Sequence, residues 1–259
     1  MISLLARNWR VLVATTRIEL LKRYYGSFLG SFWLLLYPLL FLSVYLFLYL
    51  VVFRIRLPGL SQLDYVTFIF SGLVPYMTFM EALAVGAVAL KQNMHLIRNV
   101  ILPVELIPTR AVTISILAQL PGLGMVLLLS AFNGTVTPAL ALLPIAVALQ
   151  LAFLLGLVWM IAPLGLMMPD VGYATNLIIL FLLFISPIGF MPDAVPAGWQ
   201  ALIYANPIHY MLLPFRMSFL GAQPHEWSFL LVTVGMSIVT FSAGSFVFFR
   251  FKAHLADYE

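Results

Sequence analysis

The sequence predicts an all-α integral membrane protein with six transmembrane helices. Of its 259 residues, 63% are hydrophobic and 8% are charged, whereas charged residues supply about 25% of a typical soluble domain. Long stretches carry no ionisable side chain, and a helix needs about 20 mostly apolar residues to cross a bilayer core.

The chain has no cysteine, and its four histidines are too far apart for the common zinc motifs. We therefore expect no thiol chemistry and no bound metal.

The uncharged stretches set the boundaries of the spans. The stretch between Arg110 and Asp170 is too long for one crossing, and the turn-forming residues at 133–138 divide it into two. The predicted spans are residues 31–53, 65–90, 111–132, 138–168, 171–191 and 227–249. The whole chain, residues 1–259, then forms one transmembrane domain.

The distribution of positive charge predicts the orientation. Ten of the 13 lysines and arginines flank the membrane side that holds both termini. Cytoplasmic loops carry the excess of positive charge, so both termini are predicted to be cytoplasmic. The first span is longer than the hydrophobic region of a signal peptide, and we expect no cleavable signal.

Two further segments are predicted to be neither ordinary loops nor spans. Residues 1–30 have apolar side chains at helical spacing, which predicts an amphipathic helix in the cytoplasmic interface, although a plain basic membrane anchor also explains them. Prolines interrupt residues 192–226, and the resulting pieces are too short to cross the membrane. This outer segment either enters the membrane and returns beside a translocation path, or rests on the outer surface.

The chain has no sequence motif for nucleotide binding or for a reaction centre. A P-loop needs glycine directly before its lysine, and Lys22, Lys91 and Lys252 follow other residues. If ATP drives the protein, a partner must hydrolyse it. Glu81 is the clear ionisable residue inside a predicted span; pairing with a cation or a backbone donor is favoured over a transport role, because a proton relay normally needs more than one such group.

Every fourth residue of the first span, from 33 to 53, is aromatic. This row turns through about 200° along the helix, so only part of it can line a path. Aromatic faces suit the C–H faces of sugar rings and would allow a polymer to slide. The interfacial aromatic belts and helix packing are the competing explanations. The candidate channel residues are Trp33, Tyr37, Phe41 and Tyr45.

The residues from 22 to 38, K-R-Y-Y-G-S-F-L-G-S-F-W-L-L-L-Y-P, resemble the R-Y-x-x-S-x-L-G-x-x-W-x-x-x-x-P signature of permease subunits of type 2 ABC exporters for polysaccharides. The resemblance continues in Gly72–Pro75, in residues 99–103 and in Asn206-Pro207 with Arg216, and it covers nearly the whole chain.

This resemblance implies a transport function and a set of partners. Such a permease exports a lipid-linked glycan, such as an O-antigen, teichoic acid or capsule chain, across the bacterial plasma (inner) membrane. It forms a homodimer that assembles with two copies of a separate ABC ATPase. This chain would bind no cofactor, and ATP and Mg would bind to the ATPase. We expect contacts with membrane lipids and none with nucleic acid.

The resemblance also implies roles for individual residues. Residues 91–100 would form a coupling helix that offers Lys91, His95 and Arg98 to an acidic groove of the ATPase. Residues 187–220 would form the periplasmic gate, with candidate residues Pro187, Phe190, Asn206, Pro207 and Arg216. Arg17 and Arg23 are candidates for a phosphate head group, although contact with anionic lipids explains them equally well.

Three alternatives stay open at the level of sequence. An ion-coupled secondary carrier would use Glu81 in transport. A drug or lipid exporter permease would share the fold. A membrane-embedded transferase would turn over a lipid-linked sugar without any ATPase, and it ranks last because the chain has no visible reaction centre.

Overall fold

The computed structural model describes residues 6–55, 61–99, 103–221 and 226–254. These residues form helices joined by turns and contain no strand, which confirms the all-α class. The helices are α1 (Trp9–Tyr24), α2 (Trp33–Leu46), α3 (Gln62–Gln92), α4 (Met94–Asn99), α5 (Leu106–Phe132), α6 (Leu143–Met167), α7 (Asp170–Ile185), α8 (Ala197–Tyr204), α9 (Pro207–Leu220) and α10 (Glu226–His254). The remaining residues of the predicted interface helix (1–5) and of the outer segment (222–225) lie outside the described residues.

Five stretches of the described chain are long and apolar enough to cross a membrane. The first and fourth include short helical extensions, a 3₁₀ turn before α2 and another before α6, and α2 continues as π-helix to Val52. The five stretches are Gly30–Val52, Gln62–Gln92, Leu106–Phe132, Pro138–Met167 and Trp227–Ala253.

The predicted fifth span is shorter than expected. Helix α7 has 16 residues and ends at Ile185, not at Met191. At 1.5 Å per residue it rises about 24 Å, whereas a bilayer core is about 30 Å thick. The helix ends here because the ring of Pro187 disfavours helical geometry at Ser186, whose ψ is 137°. A sixth crossing therefore stays a prediction.

The helix of the third span begins before the predicted span, which covers residues 111–132. Helix α5 begins at Leu106 and includes Pro108 in its first turn. Proline is tolerated in the first turn because the N–H groups of that turn have no intrahelical partner.

The predicted helix over residues 91–100 is in fact divided. Helix α3 ends at Gln92, and α4 starts at Met94 after a break at Asn93. The Asn93 side chain stabilises the break, because its Nδ2 donates to the Ala89 carbonyl at 2.8 Å. Lys91 thus belongs to α3 and His95 to α4, while Val100 lies outside the described residues.

Helix α3 forms the centre of the bundle, and α2, α5, α6, α7 and α9 all pack against it. Helix α9 is buried from Ile208 to Phe219 apart from the half-buried Tyr210, although it lies in the outer segment. Helices α6 and α10 cross at small residues: a Cβ on Gly244 would lie 2.1 Å from the Gly156 carbonyl oxygen. Glycine here allows the two backbones to touch.

The amino-terminal helix α1 lies against α5. Thr16 is buried in this contact, while Trp9, Val13 and Leu21 are more than half exposed. The chain then turns into α2 through Gly26 and Gly30, whose φ values of +79° and +51° favour glycine.

Candidate functional site

A pocket of ≈ 420 Å³ lies between α2, α3 and α5, close to the end of α1. We call it the span-one pocket. Its walls are mostly apolar, and they include the proline that interrupts α2, Pro38. The polar and aromatic side chains that line it are Arg23, Trp33, Tyr37, Thr78, Glu81, Ser115 and Gln119.

An ion pair lies at one end of the span-one pocket. The Arg23 guanidinium donates to the Glu81 carboxylate. Glu81, the intramembrane acid of the sequence, thus has a cation as its partner. Both side chains keep part of their surface exposed, and an ion pair with this exposure contributes at most about 1 kcal/mol to stability.

Four aromatic residues of the first span contact one another ring to ring in an unbroken row, which we call the ladder: Tyr37, Phe41, Tyr45 and Tyr49. Neighbouring ring centroids lie 6.2 Å apart from Tyr37 to Phe41, 5.9 Å from Phe41 to Tyr45 and 5.7 Å from Tyr45 to Tyr49. Tyr37 is 50% exposed and Tyr45 is 8% exposed. Exposure therefore falls along the ladder from the half-exposed Tyr37 to the buried Tyr45.

The Tyr49 end of the ladder reaches the loop that follows α7. A Cβ on Gly189 would lie 2.5 Å from the Tyr49 ring, so only glycine fits beneath this tyrosine. The Tyr65 hydroxyl donates to the Gly189 carbonyl at 2.7 Å. The same backbone residue thus contacts the first span and the second.

Arg216 fixes this loop from the other side. Its guanidinium donates to the carbonyl oxygens of Pro187 and Ile188, the latter at 3.0 Å. The guanidinium carbon also lies 3.8 Å from the centroid of the Phe68 ring, a cation–π contact. The buried arginine of α9 therefore ties the outer segment to α3 and to the end of α7.

Asn206 joins the start of α9 to the same loop. Its Oδ1 accepts from the Ile208 N–H at 2.9 Å, which caps the helix, and its Nδ2 donates to the Ser186 hydroxyl at 3.0 Å. Pro207 follows as the first residue of α9, where a missing N–H costs nothing. Phe190 is half-buried beside this cluster in sequence. The structure therefore brings Pro187, Asn206 and Arg216 together.

The other end of the bundle contains contacts that sequence reasoning missed. Arg110 donates to Asn93 Oδ1 at 2.9 Å and lies 3.7 Å from the Glu19 carboxylate of α1. Lys252 donates to the buried Glu105 carboxylate at 2.9 Å. In the sequence, Arg110 and Lys252 only add to the excess of positive charge on one side of the membrane. Residue spacing within a single helix cannot reveal partners that lie on other helices.

Two of the three candidate ATPase contacts lie on the surface. Lys91 and His95 are exposed. Arg98 belongs to α4, and its side chain lies outside the described residues. Arg17 is exposed on α1. None of these observations tests the predicted roles.

The helical fold, with five stretches able to cross a bilayer, defines a multi-pass membrane protein. No family model matches the chain. The chain is 26% identical to the O-antigen export system permease protein RfbA of Myxococcus xanthus over 250 residues, 95% of this chain and 94% of that protein. Two proteins of the same name from Klebsiella pneumoniae are 26% and 27% identical and cover 95% and 88% of this chain. These matches confirm the resemblance to permeases of polysaccharide exporters.

Proposed function

We propose that the chain is the transmembrane permease subunit of an ABC exporter that moves lipid-linked polysaccharide across the bacterial plasma membrane. The observation that carries this proposal is the similarity to O-antigen export permeases over nearly the full length of both chains. An O-antigen is the favoured cargo within the wider class of glycans. A secondary carrier driven through Glu81 is not favoured, because Arg23 already neutralises this carboxylate.

The aromatic ladder gives this function a physical route. Its rings form a continuous apolar wall from the half-exposed Tyr37 to Tyr49 at the outer loop. Sugar C–H faces pack on such rings without tight hydrogen bonds, so a chain of sugars can move from ring to ring. Trp33, Tyr37, Phe41 and Tyr45 are accordingly proposed to line the path.

The outer segment is proposed to be the periplasmic gate. Helices α8 and α9 would enter the membrane from outside and return. Helix α7 would cross the membrane as well, which brings the number of crossings to six. The burial of the non-helical residues 186–189 and of α9 supports this arrangement, because non-helical backbone at membrane depth has to be packed in protein. Pro187, Phe190, Asn206, Pro207 and Arg216 would then hold the gate against the second span.

Energy would come from a separate ATPase, in two copies for each homodimer, with ATP and Mg bound there. None of the three lysines follows a glycine as a P-loop requires. Helix α4 and the end of α3 would dock onto this partner through Lys91, His95 and Arg98. Both termini would be cytoplasmic. Arg17 would contact lipid phosphate near the inner surface. Arg23, which is paired with Glu81 but still partly exposed, would contact the same phosphate groups.

The test is to purify the tagged chain from its native host in mild detergent and to measure copurifying proteins and ATP hydrolysis together. We expect a stoichiometric P-loop ATPase whose activity is lost when its own P-loop lysine is replaced. Deletion of the chain should leave polysaccharide inside the cell. Surface polysaccharide at the wild-type level in the deletion strain would refute the proposal.

Two variants test the ladder itself. Tyr37→Ala and Tyr45→Ala should reduce the polysaccharide that reaches the surface while the chain still copurifies with its ATPase. Val44→Ala, on the exposed face of the same helix, is the matched control and should export normally. Normal export by both tyrosine variants would remove the ladder from the mechanism.

A further inference from the structure

Asn93 is the joint between α3 and α4, the two helices proposed to dock onto the ATPase. Its Nδ2 donates to the Ala89 carbonyl of α3 at 2.8 Å. Its own backbone carbonyl accepts from the N–H groups of Leu96 and Ile97 in α4, at 2.9 Å and 3.2 Å. Asn93 therefore bonds to both helices, and its conformation sets the angle between them.

The other polar atom of the Asn93 side chain is bonded to α5. The Arg110 guanidinium donates to Asn93 Oδ1 at 2.9 Å. The amide donor is thus bonded to α3 and the amide acceptor to α5, so the side chain is fixed at both of its polar atoms. A bend at Asn93 would break at least one of these two hydrogen bonds.

The burial of Arg110 makes its bond to Asn93 costly to lose. Arg110 is 8% exposed, and a buried charge is unfavourable unless it has partners. Within the part of the chain that the structure describes, these are Asn93 Oδ1 and the half-exposed Glu19 carboxylate of α1, which lies 3.7 Å away. Without Asn93, the guanidinium would keep only the longer contact. The structure therefore resists movement of the joint relative to α5.

A second ion pair fixes the start of α5. Glu105 directly precedes this helix, and its carboxylate, which is 1% exposed, accepts from Lys252 of α10 at 2.9 Å. The Thr109 hydroxyl donates to the Glu105 carbonyl at 2.6 Å. Arg110 therefore projects from a helix end that is held in place. A displacement of Asn93 would move the first turns of α5 and would not be absorbed by a loose end.

Helix α5 connects this joint to the span-one pocket. Ser115 and Ala118, within three turns of Arg110, line the pocket. Helix α5 also packs against α2, which contains the ladder. Because a helix moves as a stiff element, a shift at Arg110 would reach both the pocket and the ladder.

We infer that Arg110 is a positioning residue for transport. It joins the docking helices at Asn93 to α5, so that a displacement of α4 by the ATPase moves α5 and the wall of the span-one pocket. This inference rests on the proposed function, in which α4 docks onto the ATPase. Arg110 acts through Asn93 and not through contact with ATP or with the glycan.

The test compares export with ATP hydrolysis in the same variants. Export is the rate at which new polysaccharide appears on the surface of the native host after induction of the chain. ATP hydrolysis is measured on the chain copurified with its ATPase. The variants are Asn93→Ala, Arg110→Gln and the two combined. Arg10→Gln, which removes an exposed arginine of α1, is the matched control for the loss of a positive charge. Unfolding in SDS checks that each variant is folded.

We expect Asn93→Ala and Arg110→Gln each to lower export about tenfold, while the chain still copurifies with an active ATPase. A tenfold change lies within the range of about 5–150-fold that is typical of coupling between two sites. The double variant should export as much as Arg110→Gln alone, because both replacements remove the same contact. Arg110→Lys, which keeps the charge, should restore part of the export. Arg10→Gln should export normally.

Normal export by Asn93→Ala would overturn the inference, even if Arg110→Gln does not fold. Losses that multiply in the double variant would overturn it too, because the two residues would then act separately. Loss of the ATPase from purified Asn93→Ala would have the same consequence, since Asn93 would then serve docking alone. The proposed function fails separately, if the unchanged protein copurifies with no ATPase or if the deletion strain still displays its polysaccharide.

Discussion

Replacement of Gly244 by alanine should drive α10 away from α6. A Cβ at Gly244 would lie 2.1 Å from the Gly156 carbonyl oxygen, 2.7 Å from the Gly156 carbonyl carbon and 2.7 Å from its Cα. All three atoms belong to the backbone, so no side-chain rotation can relieve the contact. An ordinary contact begins at 3.4 Å, and the two helix backbones must therefore separate by roughly 1 Å.

The size of the effect follows from two opposing contributions. Forcing an extra carbon into a packed interior typically costs about 1–3 kcal/mol, and a contact with rigid backbone belongs at the upper end of that range. Alanine returns up to about 1 kcal/mol through its better helix propensity. Gly244→Ala should thus lose about 2 kcal/mol of unfolding free energy.

Gly235 on the same helix provides the matched control. A Cβ there would meet no atom within 4 Å, so Gly235→Ala should keep its stability or gain up to about 1 kcal/mol. Reversible unfolding in mixed micelles with increasing SDS would measure both variants. Equal stability of the two, or a more stable Gly244→Ala, would refute the close crossing of α6 and α10.

Three further predictions concern other contacts. Lys252→Met should destabilise the chain by about 1–3 kcal/mol more than Glu105→Gln does, because Lys252→Met leaves the Glu105 carboxylate, which is 1% exposed, without its partner. Equal losses of unfolding free energy in SDS would contradict this. Asn206→Ala should cost about 1–2 kcal/mol through the lost cap of α9, and Asn206→Asp, which keeps the cap acceptor, should cost less in the same unfolding measurement. Gly189→Ala should reduce export, because its Cβ would lie 2.5 Å from the Tyr49 ring. Tyr49→Leu should restore export in the double variant. A lack of rescue in a surface-polysaccharide assay would show that the two residues do not act on each other.

The sequence was sufficient for the features that depend on hydrophobicity along the chain. The uncharged stretches predicted the cores of the long helices, and the four-residue spacing predicted the aromatic row from Trp33 to Phe53. The errors lie at helix ends, where one side chain decides the boundary. Asn93 ends α3 through its bond to Ala89, and Pro187 ends α7 by restricting Ser186. A hydropathy profile does not show where a single side chain ends a helix.

The candidate site was harder to predict because it depends on contacts between distant residues. Arg23 and Glu81 are 58 positions apart, and Lys252 and Glu105 are 147 apart. The sequence placed Glu81 inside a span and favoured a cation or a backbone donor as its partner, but it could not identify Arg23, and Glu105 and Lys252 were only charges near the membrane surface. The row of aromatic residues was visible in the sequence, but its contact with Gly189 requires the loop after α7 to fold back onto the first span.

Two buried glutamines differ in how far the described residues satisfy their amides. Serine and threonine in helices reach the carbonyl four residues back, as Thr78 and Ser115 do, and so satisfy themselves within their own helix. Glutamine has a longer side chain and depends on other elements. Gln150 donates to the Pro75 carbonyl at 2.9 Å and ties α6 to α3, whereas Gln119 has neither of its atoms paired among the described residues. Gln119→Met should therefore keep or raise the unfolding free energy, because it removes two unpaired atoms, whereas Gln150→Met should lower it by about 1 kcal/mol through the lost bond to Pro75. Equal losses in SDS unfolding would contradict this account of the two amides.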